Sequence, residues 1–198
     1  MKTKAILVAF FIATAFFAQA QVKQDRNVAA FTSINIGGSF KIYLRMGDKS
    51  ALTVIADKDV INNIKSSVTS GVLEVDLDED WWDNNHNEKM ELYITVVNLQ
   101  SIDLSGACTL ETKNTIKAST LEIDLSGATE MKAMLSCDLL LMEISGASEI
   151  TLSGNCTKLN VEASGASAIN AADLHTKISS IEASGACEAK LHVVSELN

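Results

Sequence analysis

The sequence predicts an all-β protein, a parallel β-helix whose turns, or rungs, each take about 20 residues. Three observations carry that reading. Ser-Gly-Ala occurs five times, at 105–107, 126–128, 145–147, 164–166 and 184–186, so successive copies are 21, 19, 19 and 20 residues apart. Apolar and polar residues alternate with period two on both sides of each copy, as they do in a strand with one buried face. Proline is absent from all 198 residues, which suits a chain made of paired strands, because proline removes a ladder donor.

The first twenty residues stand apart from this pattern. Lys2 and Lys4 open the chain, Ala5 to Phe17 is an apolar run interrupted only by Thr14, and Ala18-Gln19-Ala20 has the small-x-small form of a cleavage site. That layout predicts a signal peptide over 1–20. The run is too short for a comfortable membrane span, which needs about 20 apolar residues, and no Cys follows it to take a lipid anchor. Residues 21–28 read as an N-terminal extension, and 29–198 as a single β-helix domain.

Within that domain the first third keeps the alternation but lacks the tripeptide. Phe31, Ile34 and Ile36 lead into Gly37-Gly38, Phe40, Ile42 and Leu44 into Gly47-Asp48, and Leu52, Val54 and Ala56 follow. Asp57 to Lys65 alone has helical spacing, through Val60, Ile61 and Ile64, and reads as a turn or short helix. Val72–Leu77 and Met90–Val96 are two more strands. These segments are expected to be earlier, less regular rungs of one continuous helix.

In the repeats, each Ser-Gly-Ala is a corner. Three residues before its Ser lie Ile102, Ile123, Met142, Val161 and Ile181, and one before lie Leu104, Leu125, Ile144, Ala163 and Ala183. A second apolar column follows the corner, at Leu110, Met131, Ile150, Ile169 and Ala189. Segments such as Ser136–Leu141 and Asn155–Leu159 close the third side of a rung. A leucine-rich repeat has an overlapping period, but its Asn/Cys ladder and L-x-x-L-x-L spacing are missing.

Cleavage after Ala20 would leave 178 residues, enough for one substantial core. It also leaves 14 basic against 25 acidic side chains, a net charge of −11. Such a surface disfavours nucleic acid and anionic lipid headgroups. The four cysteines, Cys108, Cys137, Cys156 and Cys187, form no C-x-x-C pair, so neither a redox dithiol motif nor a zinc knuckle is expected.

Residues about 29–190 resemble the autotransporter adhesin head GIN domain family. The carrying features are Phe31-Thr32-Ser33-Ile34-Asn35-Ile36-Gly37-Gly38, the strands Phe40–Asp48 and Leu52–Asp57, Gly71-Val72-Leu73-Glu74-Val75, and Glu91–Leu104 running into the first Ser-Gly-Ala. The resemblance implies an exported, single-stranded right-handed parallel β-helix of Bacteroidetes-type bacteria, and it brings no catalytic residues with it. The chain departs from the family at Val97, where proline is frequent, and it lacks a literal Gly-Ile-Asn at 34–38.

Two surfaces are candidates for function. Asp103, Asp124, Glu143, Glu162 and Glu182 form an outward acidic column about 4.8 Å per step. It is either a cation site, calcium being the ion that takes carboxylate oxygens, or a solvated face relieved by salt and nearby lysines. The segment Asp78-Glu79-Asp80-Trp81-Trp82-Asp83 holds both tryptophans. Asp78, Asp80, Trp81, Trp82 and Asp83 are the predicted ligand-binding residues, by stacking on a sugar ring or anchoring a partner protein. The other reading is a rung-capping indole in a polar loop.

Cys137 and Cys156 share a column on neighbouring rungs, within disulfide range. Cys108 and Cys187 share another column four rungs apart and cannot bond within one chain. The corner serines lack a neighbouring base in the sequence and read as a hydroxyl ladder rather than nucleophiles. No catalytic residue, metal or cofactor is expected. The sequence therefore points to an exported, non-enzymatic module that contacts glycans or cell-surface proteins, in the periplasm, at the outer surface or secreted. The alternatives are a polysaccharide lyase or glycoside hydrolase on the same scaffold, or an assembly protein that uses its open last edge to form oligomers.

Overall fold

The computed structural model describes residues 21–78 and 89–197, and the regular structure there is β-strand throughout. From Ser101 onward the chain is the expected parallel β-helix. Strands β8 (Ser101–Gly106) and β9 (Thr109–Thr112) make one rung on either side of the first Ser-Gly-Ala corner. β10 (Ile116–Leu125) pairs parallel with β8. β11 (Glu130–Ile144), β12 (Glu149–Ala163) and β13 (Ala168–Ala183) then stack parallel in succession, followed by β14 (Glu188–Leu197). The three longest strands bend through the third side of the rung without leaving the ladder. Gly154 marks that bend at φ 108°.

The register explains the columns. Ile102 lies opposite Ile123, then Met142, then Val161, then Ile181. All but the last are buried, as are Leu104, Leu125 and Ile144 beside them and Leu110, Met131, Ile150 and Ile169 across the corner. The third side adds Ile116, Leu135, Leu140, Leu159 and Leu174. Each buried Leu or Ile contributes roughly 1.5–3 kcal/mol relative to exposure, and each gains it only because the next rung covers it. Hence the last rung loses the pattern. Ala183 and Ala189 are exposed, because among the described residues nothing stacks beyond β14.

The corners are held by the glycines. The Ala107, Ala128, Ala147, Ala166 and Ala186 N–H groups donate to the carbonyls of Gly38, Gly106, Gly127, Gly146 and Gly165, at 2.7–2.8 Å. The five repeat glycines thus fall in one column, and Gly38 joins it. Gly37-Gly38 is the corner of an additional rung that the tripeptide search misses, with Gly37 opposite Ser105 and Gly38 opposite Gly106.

The first third does not form simple successive rungs, and this corrects the sequence expectation. β2 (Ser33–Gly38) and β3 (Lys41–Met46) make the rung that receives β8 and β9 on one side. On their other side lie β6 (Val72–Leu77) and β7 (Glu91–Val96), which come later in the chain. The first rung in sequence is therefore the second in space. β4 (Ala51–Asp57) runs antiparallel to β7, β5 (Ile64–Thr69) antiparallel to β6, and β1 (Gln21–Arg26) antiparallel to β4. Leu52-Val54-Ala56 alternates as a rung strand would, but alternation carries no strand direction. The β5–β6 reversal is made by Ser70-Gly71, whose positive φ values of 52° and 81° form a two-residue hairpin. In the segment read as a turn or short helix, residues 58–63 make a turn between β4 and β5, closed by the Val60 and Ile61 N–H groups on the Asp57 carbonyl at 3.0 Å each. It drops Val60, Ile61 and Ile64 into the core.

Candidate functional site

The acidic column and the corner serines are two walls of one groove. In register, Asp103 lies opposite Asp124, then Glu143, Glu162 and Glu182. Ser126, Ser145, Ser164 and Ser184 form the facing wall, and Leu125, Ile144, Ala163 and Ala183 the floor. The groove encloses about 480 Å³ and opens to solvent along its length. It arises because side chains alternate across a strand: the residue between two buried positions must point out, and the corner then turns the serine up beside it.

Among the described residues, none of the five column carboxylates makes an ion pair. The lysines bond instead on the far side of the corner, Lys113 to Glu111 at 2.7 Å, Lys132 to Glu130 at 2.6 Å and Lys190 to Glu188 at 3.2 Å. The relief expected from nearby lysines is therefore absent from the column, and water and salt must screen it. Partial burial, then the neighbouring Asp124 carboxylate, hold the Asp103 carboxyl above its ordinary value of 3.8. No three Asp, Glu, His or Cys side chains among the described residues converge on a point that could hold a metal ion. A straight ladder spreads its ligands along a line, whereas calcium needs six to eight oxygens around one centre.

The corner serines hydrogen-bond to backbone, as a structural ladder does. Ser126, Ser145 and Ser164 donate to the carbonyls of Leu104, Leu125 and Ile144 at 3.4–3.5 Å. His175 and His192 pack on one another with ring centroids 4.6 Å apart, on the third side of the rung.

A second small-residue column was missed by the sequence reading. The residue after each Ser-Gly-Ala is Cys108, Thr129, Ser148, Ser167 or Cys187. Thr129, Ser148 and Ser167 are buried although polar. Ser148 and Ser167 each donate back to the carbonyl of their own corner serine at 3.3 Å, and Cys108 and Cys187 do so at 3.5 and 3.3 Å. Thr129 donates to Ser148 on the next rung at 2.9 Å. The sequence signal was the restriction of one position to Cys, Thr or Ser. It shows only when this column is read separately from the apolar ones.

Of the predicted ligand-binding residues, Asp78 sits at the end of β6, ion-paired to Lys65 at 2.9 Å. Asp80, Trp81, Trp82 and Asp83 lie outside the described residues. The aromatic surface that is described belongs to Tyr43 and Tyr93, adjacent in register on β3 and β7, with ring centroids 4.8 Å apart. Lys113 Nζ lies over the Tyr43 ring, 4.2 Å from its centroid. The Tyr93 hydroxyl donates to Glu91 at 2.8 Å, which together with burial pushes its pKa up to about 12. Both rings are thus engaged within the sheet.

Comparison with known proteins fixes the family. The model of the family described as "Putative auto-transporter adhesin, head GIN domain" matches residues 30–198. The chain belongs to this family. Solved structures share the GIN-domain architecture at low identity. A protein described as a putative adhesin from Bacteroides fragilis superposes with a TM-score of 0.82 at 19% identity, over 91% of this chain and 84% of its own. A putative lipid binding protein from Parabacteroides distasonis gives 0.64 at 15%, over 89% and 84%. A putative adhesin from the same species gives 0.62 at 15%, over 91% and 97%. No curated protein matches the chain. At these identities the solved neighbours speak for the fold alone.

Proposed function

We propose that this chain is a non-enzymatic binding head that works outside the cytoplasm and holds neutral glycans or surface partners along its corner groove. The observation that carries the reading is the groove itself, which presents the same carboxylate–hydroxyl pair rung after rung. Carboxylates accept and serines both donate and accept hydrogen bonds, so an array of this kind suits an extended ligand rich in hydroxyls. The unpaired negative charge disfavours polyanions such as uronate polymers or nucleic acid. Membership of an adhesin head family and the leader-like residues 1–20 support placement at the cell surface or in the periplasm. The Trp81–Trp82 segment is a second contact of the same head, since indoles stack on sugar rings and anchor protein partners.

A glycan array tests this, with the wild type, an Asp124→Asn/Glu143→Gln variant and a Trp81→Ala/Trp82→Ala variant. Binding of neutral glycans that is lost in the first variant assigns the groove. Loss in the second alone moves the site to the tryptophan segment. Turnover of any polysaccharide by the wild type, abolished by the carboxylate changes, would replace the binding reading with an enzymatic one.

A further inference from the structure

We propose that Cys137 and Cys156 are a modification site, an oxidisable pair that closes into a disulfide between adjacent rungs. The parallel register of β11 and β12 sets the two residues directly opposite each other. Their sulfurs are 2.9 Å apart, about 0.9 Å more than the roughly 2.05 Å of an S–S bond. Neighbouring strands lie about 4.8 Å apart, inside the roughly 4.4–6.8 Å between Cα atoms that a disulfide spans. The same column carries Ala118 on the rung before and Thr176 on the rung after. Sulfur thus faces sulfur at this one step of the stack.

The surroundings favour reaction at this pair over the other two thiols. The Cys137 thiol donates to the Cys156 sulfur, which raises the first and lowers the second. Backbone contacts at Lys158 and Leu140 also lower the Cys156 thiol, which while protonated donates to the Lys158 carbonyl at 3.0 Å. One proton of the pair therefore leaves more readily than the other. Cys137 is half-buried and Cys156 is buried, so an external reagent meets Cys137 first. Cys108 and Cys187 lie at opposite ends of the corner column, four rungs apart, and burial raises the Cys108 thiol.

The oxidant is an organic disulfide, either a small one such as oxidised glutathione or that of a thiol oxidoreductase. The Cys137 sulfur loses its proton to a solvent base as it attacks one sulfur of the oxidant. The oxidant's S–S bond breaks and one thiolate leaves. The deprotonated Cys156 sulfur then attacks the Cys137 sulfur, the mixed disulfide breaks and the second thiolate leaves. Two cysteine thiols are oxidised, one external disulfide is reduced to two thiols, and both cysteine protons end on those products.

The test uses the full chain, reduced and then incubated with oxidised glutathione. It is next denatured in iodoacetamide and read by intact mass and peptide mapping. The expected result is a loss of two hydrogens, a linked peptide joining Cys137 to Cys156, and alkylation confined to Cys108 and Cys187. In Cys156→Ser a glutathione adduct should persist on Cys137, because the resolving sulfur is gone. Alkylation of all four cysteines after oxidation would overturn the proposal. So would a bridge that involves Cys108 or Cys187, or one between two chains. The wild-type measurement stands even where a variant fails to fold.

Discussion

Replacing Gly146 with alanine should be far more damaging than the same change at Gly71, although their backbones are nearly alike, at φ 83° and 81°. A left-handed backbone costs a non-glycine residue roughly 1–2 kcal/mol. Restricting the unfolded chain returns about 0.4–1 kcal/mol. At Gly71 the added Cβ meets nothing nearer than the Thr32 hydroxyl at 3.9 Å, so the net loss should be about 1 kcal/mol. At Gly146 the Cβ would lie 2.3 Å from the Gly127 carbonyl oxygen and 3.0 Å from its nitrogen. These are backbone atoms of a rung fixed on both sides, and they cannot swing away. Relief requires parting the rungs at the corner, which strains the Ala147 to Gly127 hydrogen bond of 2.8 Å. Gly127 and Ala147 are exposed at the corner, so losing this hydrogen bond costs about 0.5–1.5 kcal/mol, and overpacking adds about 1–3 kcal/mol. With the left-handed backbone the total loss is about 2.5–5.5 kcal/mol, a large part of the roughly 5–15 kcal/mol that holds a domain together. Urea denaturation of the wild type and both variants gives the comparison directly. In thermal unfolding the gap should be on the order of 10 °C. A difference between the two variants below about 1 kcal/mol would refute the steric account of the corner column.

Four further outcomes follow from the geometry. Asp103 binds its proton more tightly folded than unfolded, so it opposes folding above its folded pKa. That penalty fades as pH falls through the folded pKa toward 3.8. A carboxyl NMR titration should place its midpoint above 3.8, and Asp124→Asn should bring it down; a wild-type midpoint at or below 3.8 would contradict the described packing. Ser148→Ala should cost about 1–2 kcal/mol, by removing the acceptor of Thr129 and the donor to Ser145, while Ser148→Cys should cost less, because thiols fill the same column at Cys108 and Cys187; equal losses in urea unfolding would argue against a hydrogen-bonded column. Oxidising the Cys137–Cys156 pair, 19 residues apart, should raise stability by about 3 kcal/mol, and an unchanged urea midpoint would show that the bridge constrains little. Phe40→Ala should cost about 3–5 kcal/mol, since Phe40 is fully buried between the added rung and its neighbours; a loss under 1 kcal/mol would place it outside the core.

Much of this architecture was legible because a solenoid writes the same sentence repeatedly. Five Ser-Gly-Ala corners 19–21 residues apart, with apolar residues three and one before the Ser and five after it, define rung, corner and buried face without any knowledge of neighbours. The entry into the stack was not legible. Leu52-Val54-Ala56 and Val72–Leu77 alternate identically, yet one runs against its partner and the other with it, and a period of two is blind to direction. Nor does any residue announce that β6 and β7 dock outside β2 and β3. That order is decided by which faces remain uncovered once all the rungs are present. The groove shows the same division. Its acidic wall is visible as a column, whereas the Thr129, Ser148 and Ser167 hydroxyls behind the corner gain a role only from the hydrogen bonds the fold gives them.

The crossed order of the first rungs gives the molecule a direction of growth. Residues 33–46 are flanked on both sides by partners that come later in the chain, β6 and β7 on one side and β8 and β9 on the other. Laying down that nucleus closes long loops early, a slow step in entropic terms. Every later turn needs only to zip about 20 residues onto a finished template. A chain that emerges amino-terminus first would therefore build its seed before its repeats, and a stalled intermediate would display its newest turn as a bare, sticky ladder.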